Sequence, residues 1–237
     1  MPASKPFDSP HLQRVQSFQE LCDFPLADGI NAVCWERTLP GDFAEVVEQL
    51  GSALGRTLLT LEPAMLRALP LSPAGRLAVE CMLTDLRRLS ERELAPVLNC
   101  VYAYARDERP GPLATDVFSF HVDSAPCPTE TWLCTYHGPA SEGLGNDHAQ
   151  RHVDIPATRA ALLAAYGGSD DAGFATFLSD NAYDLHYAAL PPARPFSFGL
   201  GNLWRIATTY PGGAVPPCIH RAPPTMPGDP PRLLLIS

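Results

Sequence analysis

The sequence predicts an α+β protein in which a helical N-terminal layer precedes an antiparallel β half. Three observations carry that reading. Apolar residues recur at three- and four-residue spacing through most of residues 40–106, the period of amphipathic helices. Beyond the breaker DERPGP (residues 107–112) they fall instead into short aromatic or β-branched runs separated by Pro and Gly turns. The 237 residues also include 26 Pro and 17 Gly, a usage that favours turns and short strands.

Each element follows from local chemistry. The first twenty residues read as an irregular arm. INAVCWERTL (residues 30–39) alternates as a short strand, with Trp35 its largest apolar side chain. Asp42 is placed to cap a helix carrying Phe43, Val46, Val47, Leu50 and Leu54 and closing near Gly55. Ser72 before Pro73 starts a long amphipathic helix through Leu77, Cys81, Met82, Leu86 and Leu89. Ser90 and Glu93 have capping-box spacing ahead of Leu94, Val97, Leu98 and Val101, a further helix that Pro96 should kink or shorten.

In the second half, VFSFHVD (117–123), TWLCTY (131–136), FSFGLGNLWRIATTY (196–210), CIHRA (218–222) and RLLLIS (232–237) read as strands. PATRAALLAAY (156–166) reads as a helix that Asp154 could cap and Gly167-Gly168 ends, with a second helix over 172–178. The expected organisation is one domain over 1–237. Residues 1–112 form the arm, strand and helical layer; 113–237 form a β core with a partly helical insertion at 138–195.

Composition excludes several function classes. Hydrophobic residues are 46% and charged residues 18%, ordinary for a globular chain with a buried core. The net charge of −9 and the absence of a basic block longer than Arg87-Arg88 argue against nucleic acid as a partner. No apolar stretch is long enough for a membrane span, and MPASKPFDSP lacks a signal-peptide pattern, so the expectation is a cytoplasmic protein. Seven scattered cysteines without a CxxC pair read as small hydrophobes in a reducing compartment. P-loop, Rossmann and GxSxG patterns are missing, as is any internal repeat of solenoid or propeller length.

The residues that carry chemistry sit on the expected strands. His121 and Asp123 are two apart, so on an extended strand an imidazole and a carboxylate share one face. His220, on a later strand, offers a third ligand. Two histidines and one carboxylate leave coordination positions open, as in non-haem Fe(II) oxygenases. Arg232 opens the last strand twelve residues beyond His220, where a guanidinium could grip a carboxylate bidentately. Arg221 is its rival but should face away from His220. A competing cluster, Asp147, His148, His152 and Asp154, would place two histidines on one helical face, yet Ala149 stands where HExxH needs its glutamate; it reads mainly as a solvated loop. His11, His137 and His186 have no partner pattern.

The order HxD, distal His, then Arg about a dozen residues later resembles the Fe(II)/2-oxoglutarate-dependent dioxygenases. TWLCTY, ending at Tyr136, is similar to their prolyl-hydroxylase-like branch. Across most of its length the chain also resembles a bacterial family of unknown function, through INAVCWERTL, HVD, LCTYHGPASEGL and IHRAPP followed by RLLLIS. The resemblance implies a distorted double-stranded β-helix, jelly-roll or cupin-like, behind the helical layer. It implies His121, Asp123 and His220 as iron ligands and as the catalytic set, Arg232 on the distal carboxylate of 2-oxoglutarate, and Tyr136 as a helper at that cosubstrate. Fe(II), 2-oxoglutarate and O2 would then support hydroxylation of a small-molecule or amino-acid-like substrate; the retained Asp123 disfavours halogenation. Three alternatives stay open: a non-catalytic metal-binding protein of bacterial zinc or iron homeostasis, a cupin-like metalloenzyme that does not use 2-oxoglutarate, and a purely structural partner-binding domain, which leaves the HxD and His-Arg spacing to coincidence. Oligomeric state is not legible.

Overall fold

The computed structural model describes residues 9–51, 55–106, 111–225 and 228–237. It is a mixed α+β structure with two β-sheets, consistent with a β-sandwich. Strands β1 (Leu12–Val15), β2 (Ala32–Trp35), β3 (Leu58–Thr60), β4 (Val97–Val101), β6 (Glu130–His137), β11 (Leu203–Ala207) and β13 (Arg232–Ile236) form the larger sheet, in the order β1-β2-β11-β6-β13-β4-β3. Strands β5 (Phe120–His121), β7 (Glu142–Leu144), β8 (Ala149–Arg151), β9 (His186–Ala189), β10 (Phe196–Ser197) and β12 (Ile219–Arg221) form the smaller one, in the order β10-β7-β12-β5-β9-β8. The β1–β2 pair is parallel; the other ladders are antiparallel.

Alternation along the central strand β6 sorts the two cores. Trp132, Cys134 and Tyr136 face the helices α1 (Phe18–Asp23), α2 (Phe43–Leu50), α3 (Pro63–Ala68) and α4 (Pro73–Ser90), packing with Leu21, Val46, Leu66, Met82 and Leu89. Leu133 faces the other way and joins Cys34, Trp204 and Ile206 of the same sheet against Phe196, Phe198 and Cys218 from the smaller sheet's side. Burial from both sides accounts for an eight-residue strand with no exposed position. Helices α5 (Pro156–Tyr166) and α6 (Ala172–Asp180) build a separate cluster around Leu162, Phe174 and Leu178.

The expected caps form where the sequence places them. The Asp42 side chain accepts from Glu45 N, and the Ser72 hydroxyl from Gly75 N with Pro73 at the first turn. Helix α5 ends on Gly167 in the left-handed conformation.

Other expectations are corrected. The arm contains β1 and α1, because Gln13 and its neighbours pair with β2 and Ser17 caps a short turn of helix. Helix α2 stops at Gly51, before Gly55; Leu54 lies outside the described residues. The Ser90/Glu93 capping box does not form. Ser90 is the last residue of α4, its hydroxyl donating to Leu86 O, and Glu93 has a positive φ of 61°. Residues 97–101 are a strand because Pro96 blocks helix continuation and Val97–Val101 find five register partners on β13. Asp154 lies in a 3₁₀ turn, and Ile155 holds the cap position of α5.

Residues 138–195 hold more than helices. They supply β7, β8 and β9, half of the smaller sheet, and the larger sheet draws β1–β4 from the first half of the chain. The two halves therefore interleave. Among the described residues no helix is long and apolar enough to cross a membrane. All seven cysteines are free; Cys127 is exposed, whereas Cys22, Cys34, Cys100, Cys134 and Cys218 are buried. Burial pushes the Cys134 and Cys218 thiols up to about 12, which makes them inert apolar fillers.

Candidate metal centre

His121 and His220 occupy directly opposed positions on β5 and β12, their ring centroids 4.7 Å apart. The alternation that brings them together is visible in their neighbours. Phe120, Val122 and Ile219 enter a cluster with Leu144 on the opposite face of the smaller sheet, so His121, Asp123 and His220 turn inward. One donor atom from each of these three residues lies within 4.8 Å of the others. His220 Nε2 stands 3.6 Å from Asp123 Oδ2.

Each donor is oriented by a second contact. His121 Nδ1 lies 2.8 Å from Ser119 O, and His220 Nδ1 lies 3.2 Å from Cys218 O. Carbonyls only accept, so each Nδ1 carries the proton and each Nε2 keeps a lone pair for a cation. Thr131 Oγ1 on β6 donates to Asp123 Oδ2 at 2.5 Å, holding the carboxylate from the larger sheet, and Thr209 N donates to the Asp123 backbone carbonyl at 2.8 Å, holding the main chain there. Burial and the neighbouring His220 ring push His121 down to about 4. A neutral imidazole is the form that ligates. This donor set fits a divalent transition metal.

Arg232 lines the same cavity of about 280 Å³ as the triad. It is 2% exposed. Its Nη1 donates to Tyr104 Oη at 2.6 Å, and its Nη2 to Ser141 Oγ at 2.9 Å and Thr135 Oγ1 at 3.3 Å. Three donors thus reach hydroxyls, while buried Nε has no acceptor among the described residues. No carboxylate among them lies within ion-pair distance of this guanidinium, and burial pulls its pKa below the usual arginine value. A buried cation surrounded by neutral hydroxyls is costly unless an anion joins it. Gly138, at φ +80°, lets the turn after β6 pass against it; a Cβ there would stand 2.7 Å from Pro231 O and 3.1 Å from Arg232 Cα. Arg221 also borders the cavity but is already neutralised, its Nη2 2.6 Å from Glu142 Oε2 and its guanidinium over Phe120.

Tyr136 does not join the site. It lies on the helix-facing side of β6, stacked on Phe43, with its hydroxyl donating to Asp85 Oδ2 at 2.9 Å beside the Arg37–Asp85 ion pair. The parity of TWLCTY carries the signal: Thr131, Leu133 and Thr135 share the cavity face, and Tyr136 must oppose them. Tyr104 and Ser141, which have no motif, take the place beside Arg232.

The His148/His152 segment is a 3₁₀ turn, strand β8 and a second 3₁₀ turn, so the two histidines are not one helical turn apart. Asp147 instead meets His11 Nε2 at 3.3 Å. His186 acquires a place the sequence did not indicate. It opposes His121 across β5 and β9, 5.7 Å between centroids, and stands outside the convergent triad. Comparison of the chain with protein-family models, with curated proteins and with solved structures gives no match.

Proposed function

We propose that the protein is an Fe(II)/2-oxoglutarate-dependent oxygenase, a hydroxylase of a small molecule, built on a distorted double-stranded β-helix. The observation that carries the reading is one cavity holding both a His-Asp-His donor set and a buried guanidinium without a carboxylate partner among the described residues. His121, Asp123 and His220 would hold the iron, and three protein ligands leave the remaining positions for cosubstrate and dioxygen. Iron so held supplies the coupling in which a substrate C–H becomes C–OH with one atom of dioxygen, the other entering succinate as 2-oxoglutarate loses carbon dioxide.

The chain's own part is positioning. Ser119 O and Cys218 O hold the imidazole tautomers, and Thr131 holds the Asp123 carboxylate. Arg232 supplies the charge for the distal carboxylate of 2-oxoglutarate, with the Tyr104, Thr135 and Ser141 hydroxyls fixing its plane. A bound dicarboxylate would satisfy the orphan Nε and neutralise the buried cation together. A guanidinium in this state is unexplained in a protein that only stores metal.

The test is an anaerobic titration of metal-free protein with Fe(II) and then 2-oxoglutarate, following the weak visible charge-transfer band of the chelated complex. The reading expects a saturable band, abolished by His121→Ala and weakened by Arg232→Ala. Stoichiometric metal uptake with no band and no 2-oxoglutarate binding would overturn it.

A further inference from the structure

The cavity beside the triad continues onto a part of the larger sheet that presents apolar side chains to solvent. Strand register lays out that face as a grid. On β3 and β4, Leu58 opposes Val101 and Thr60 opposes Asn99; on β4 and β13, Asn99 opposes Leu234 and Val97 opposes Ile236. Leu58 is 47% exposed, and Val97, Val117 and Ile236 are exposed as well, so half of the eight large apolar side chains exposed among the described residues gather at this rim. Leu58, Val117, Leu234 and Ile236 line the cavity together with His121, Asp123 and His220. Clustered exposed apolar side chains beside a polar cavity mark a ligand surface.

Every charge at the cavity already has a task. The triad is committed to metal, Arg232 to the cosubstrate and Arg221 to Glu142. One polar group is left over. Asn99 is 9% exposed and sits in the middle of the apolar grid; its Oδ1 accepts from Thr60 Oγ1 at 3.1 Å, and its Nδ2 donates to no group among the described residues. It lines the cavity, so the unused N–H groups are available to a ligand. Desolvating them without an acceptor would be unfavourable, so a ligand that covers Asn99 should bring one.

We infer that the molecule oxidised at this centre is uncharged and mainly apolar and carries a carbonyl oxygen. Its hydrocarbon part rests on Leu58, Val117, Leu234 and Ile236, and its oxygen accepts from Asn99 Nδ2. Asp123, the carboxylate that lines the cavity among the described residues, is committed to the metal, so an ammonium would find no counter-charge there, and a carboxylate would compete with 2-oxoglutarate for Arg232. The inference rests on the oxygenase reading and names its substrate class.

The experiment uses three probes of equal chain length, octanamide, octanoate and octylammonium, titrated calorimetrically into the full chain, with Fe(II) and 2-oxoglutarate uptake measured on the same samples. Octanamide is expected to bind most tightly, and its proton resonances to broaden when Mn(II) fills the triad. Leu58→Asp, at an exposed position that tolerates polarity, and Asn99→Leu should each weaken it about tenfold without altering metal uptake. Tighter binding of octanoate or octylammonium, or octanamide binding indifferent to both variants, overturns the inference. Failed metal or 2-oxoglutarate uptake overturns the oxygenase reading and, with it, the assignment of substrate; octanamide binding that persists then identifies the surface as an apolar-ligand site unrelated to oxidation.

Discussion

Thr131 and Asp123 join the two sheets at the metal centre: a hydroxyl on the central strand of the larger sheet donates at 2.5 Å to the carboxylate that follows β5 of the smaller one. The site therefore depends on how the sheets sit on one another. Asp123 has no helix or long strand of its own to fix it, since β5 spans only Phe120–His121. Removing the hydroxyl leaves all three ligands in place and frees one of them to rotate. Thr131→Val should lower metal affinity by about 10- to 100-fold, the usual effect of losing a ligand's hydrogen-bond partner. Calorimetric titration of chelator-treated protein with Fe(II) or Zn(II) checks this, and an unchanged affinity would detach Asp123 from the metal.

Metal binding should also appear as stability. Ligands that bind only the folded state stabilise it by about 2.7 kcal/mol at a hundredfold excess over the dissociation constant. Addition of Zn(II) should raise Tm of the wild type, whereas His220→Ala, which removes a donor from a buried wall position, should respond weakly or not at all. A Tm equally sensitive to metal in that variant would place the ion elsewhere.

Arg232 separates a functional charge from a structural one. A residue that mainly stabilised the fold would cost several kcal/mol when truncated. A buried cation lacking an anionic partner among the described residues should cost much less, because its replacement by an apolar side chain of similar reach relieves desolvation. Arg232→Met is expected to change stability by no more than about 1 kcal/mol while 2-oxoglutarate affinity falls by at least about 100-fold, the loss from leaving a ligand carboxylate unpaired. Metal affinity should not move. Urea melts and cosubstrate titrations on one preparation decide it.

Much of this was legible from local chemistry, and the parts that were not share a cause. Ser72-Pro73 and Asp42 specify helix starts through groups within three residues, and both caps form. His121, Asp123 and His220 follow from alternation on short strands, which also turns them to one face. Val97–Val101 escaped because its periodicity suits either state, and the choice is made by β13, more than a hundred residues away in the chain. Strands β7, β8 and β9 are similarly short, and their pairing partners are remote. Tyr104 and Ser141 reach Arg232 from non-strand segments that no spacing rule connects. Tyr136 was a matter of parity, which the sequence did contain.

That parity yields a paired test. Tyr136→Phe removes a donor from buried Asp85 on the helix-facing side, so it should destabilise the protein by about 1–3 kcal/mol and leave metal and 2-oxoglutarate affinities unchanged. Tyr104→Phe removes an acceptor of Arg232 on the cavity side and should weaken 2-oxoglutarate binding several-fold. The reverse pattern would return Tyr136 to the cosubstrate.

Acidification should destabilise the metal-free protein before its carboxylates begin to titrate. His121 is pushed down to about 4 by burial and by His220; burial also lowers His137, and burial with His186 lowers His152. In the unfolded chain these rings titrate near their ordinary value of about 6.5. Between that value and their lower folded values the unfolded state binds more protons, so unfolding free energy rises with pH and falls as pH drops. The stabilities of Glu45 and Asp170, whose carboxyls are held low by Ser72 and Arg159, are lost only at more acid pH and do not blur the window. Thermal melts in chelator from about pH 7 to about pH 5 should therefore show Tm declining, and His121→Gln should flatten the decline because a neutral amide has no proton to gain. A Tm that is level or rises over this interval would mean that His121 is solvated and titrates near its ordinary value in the folded protein too.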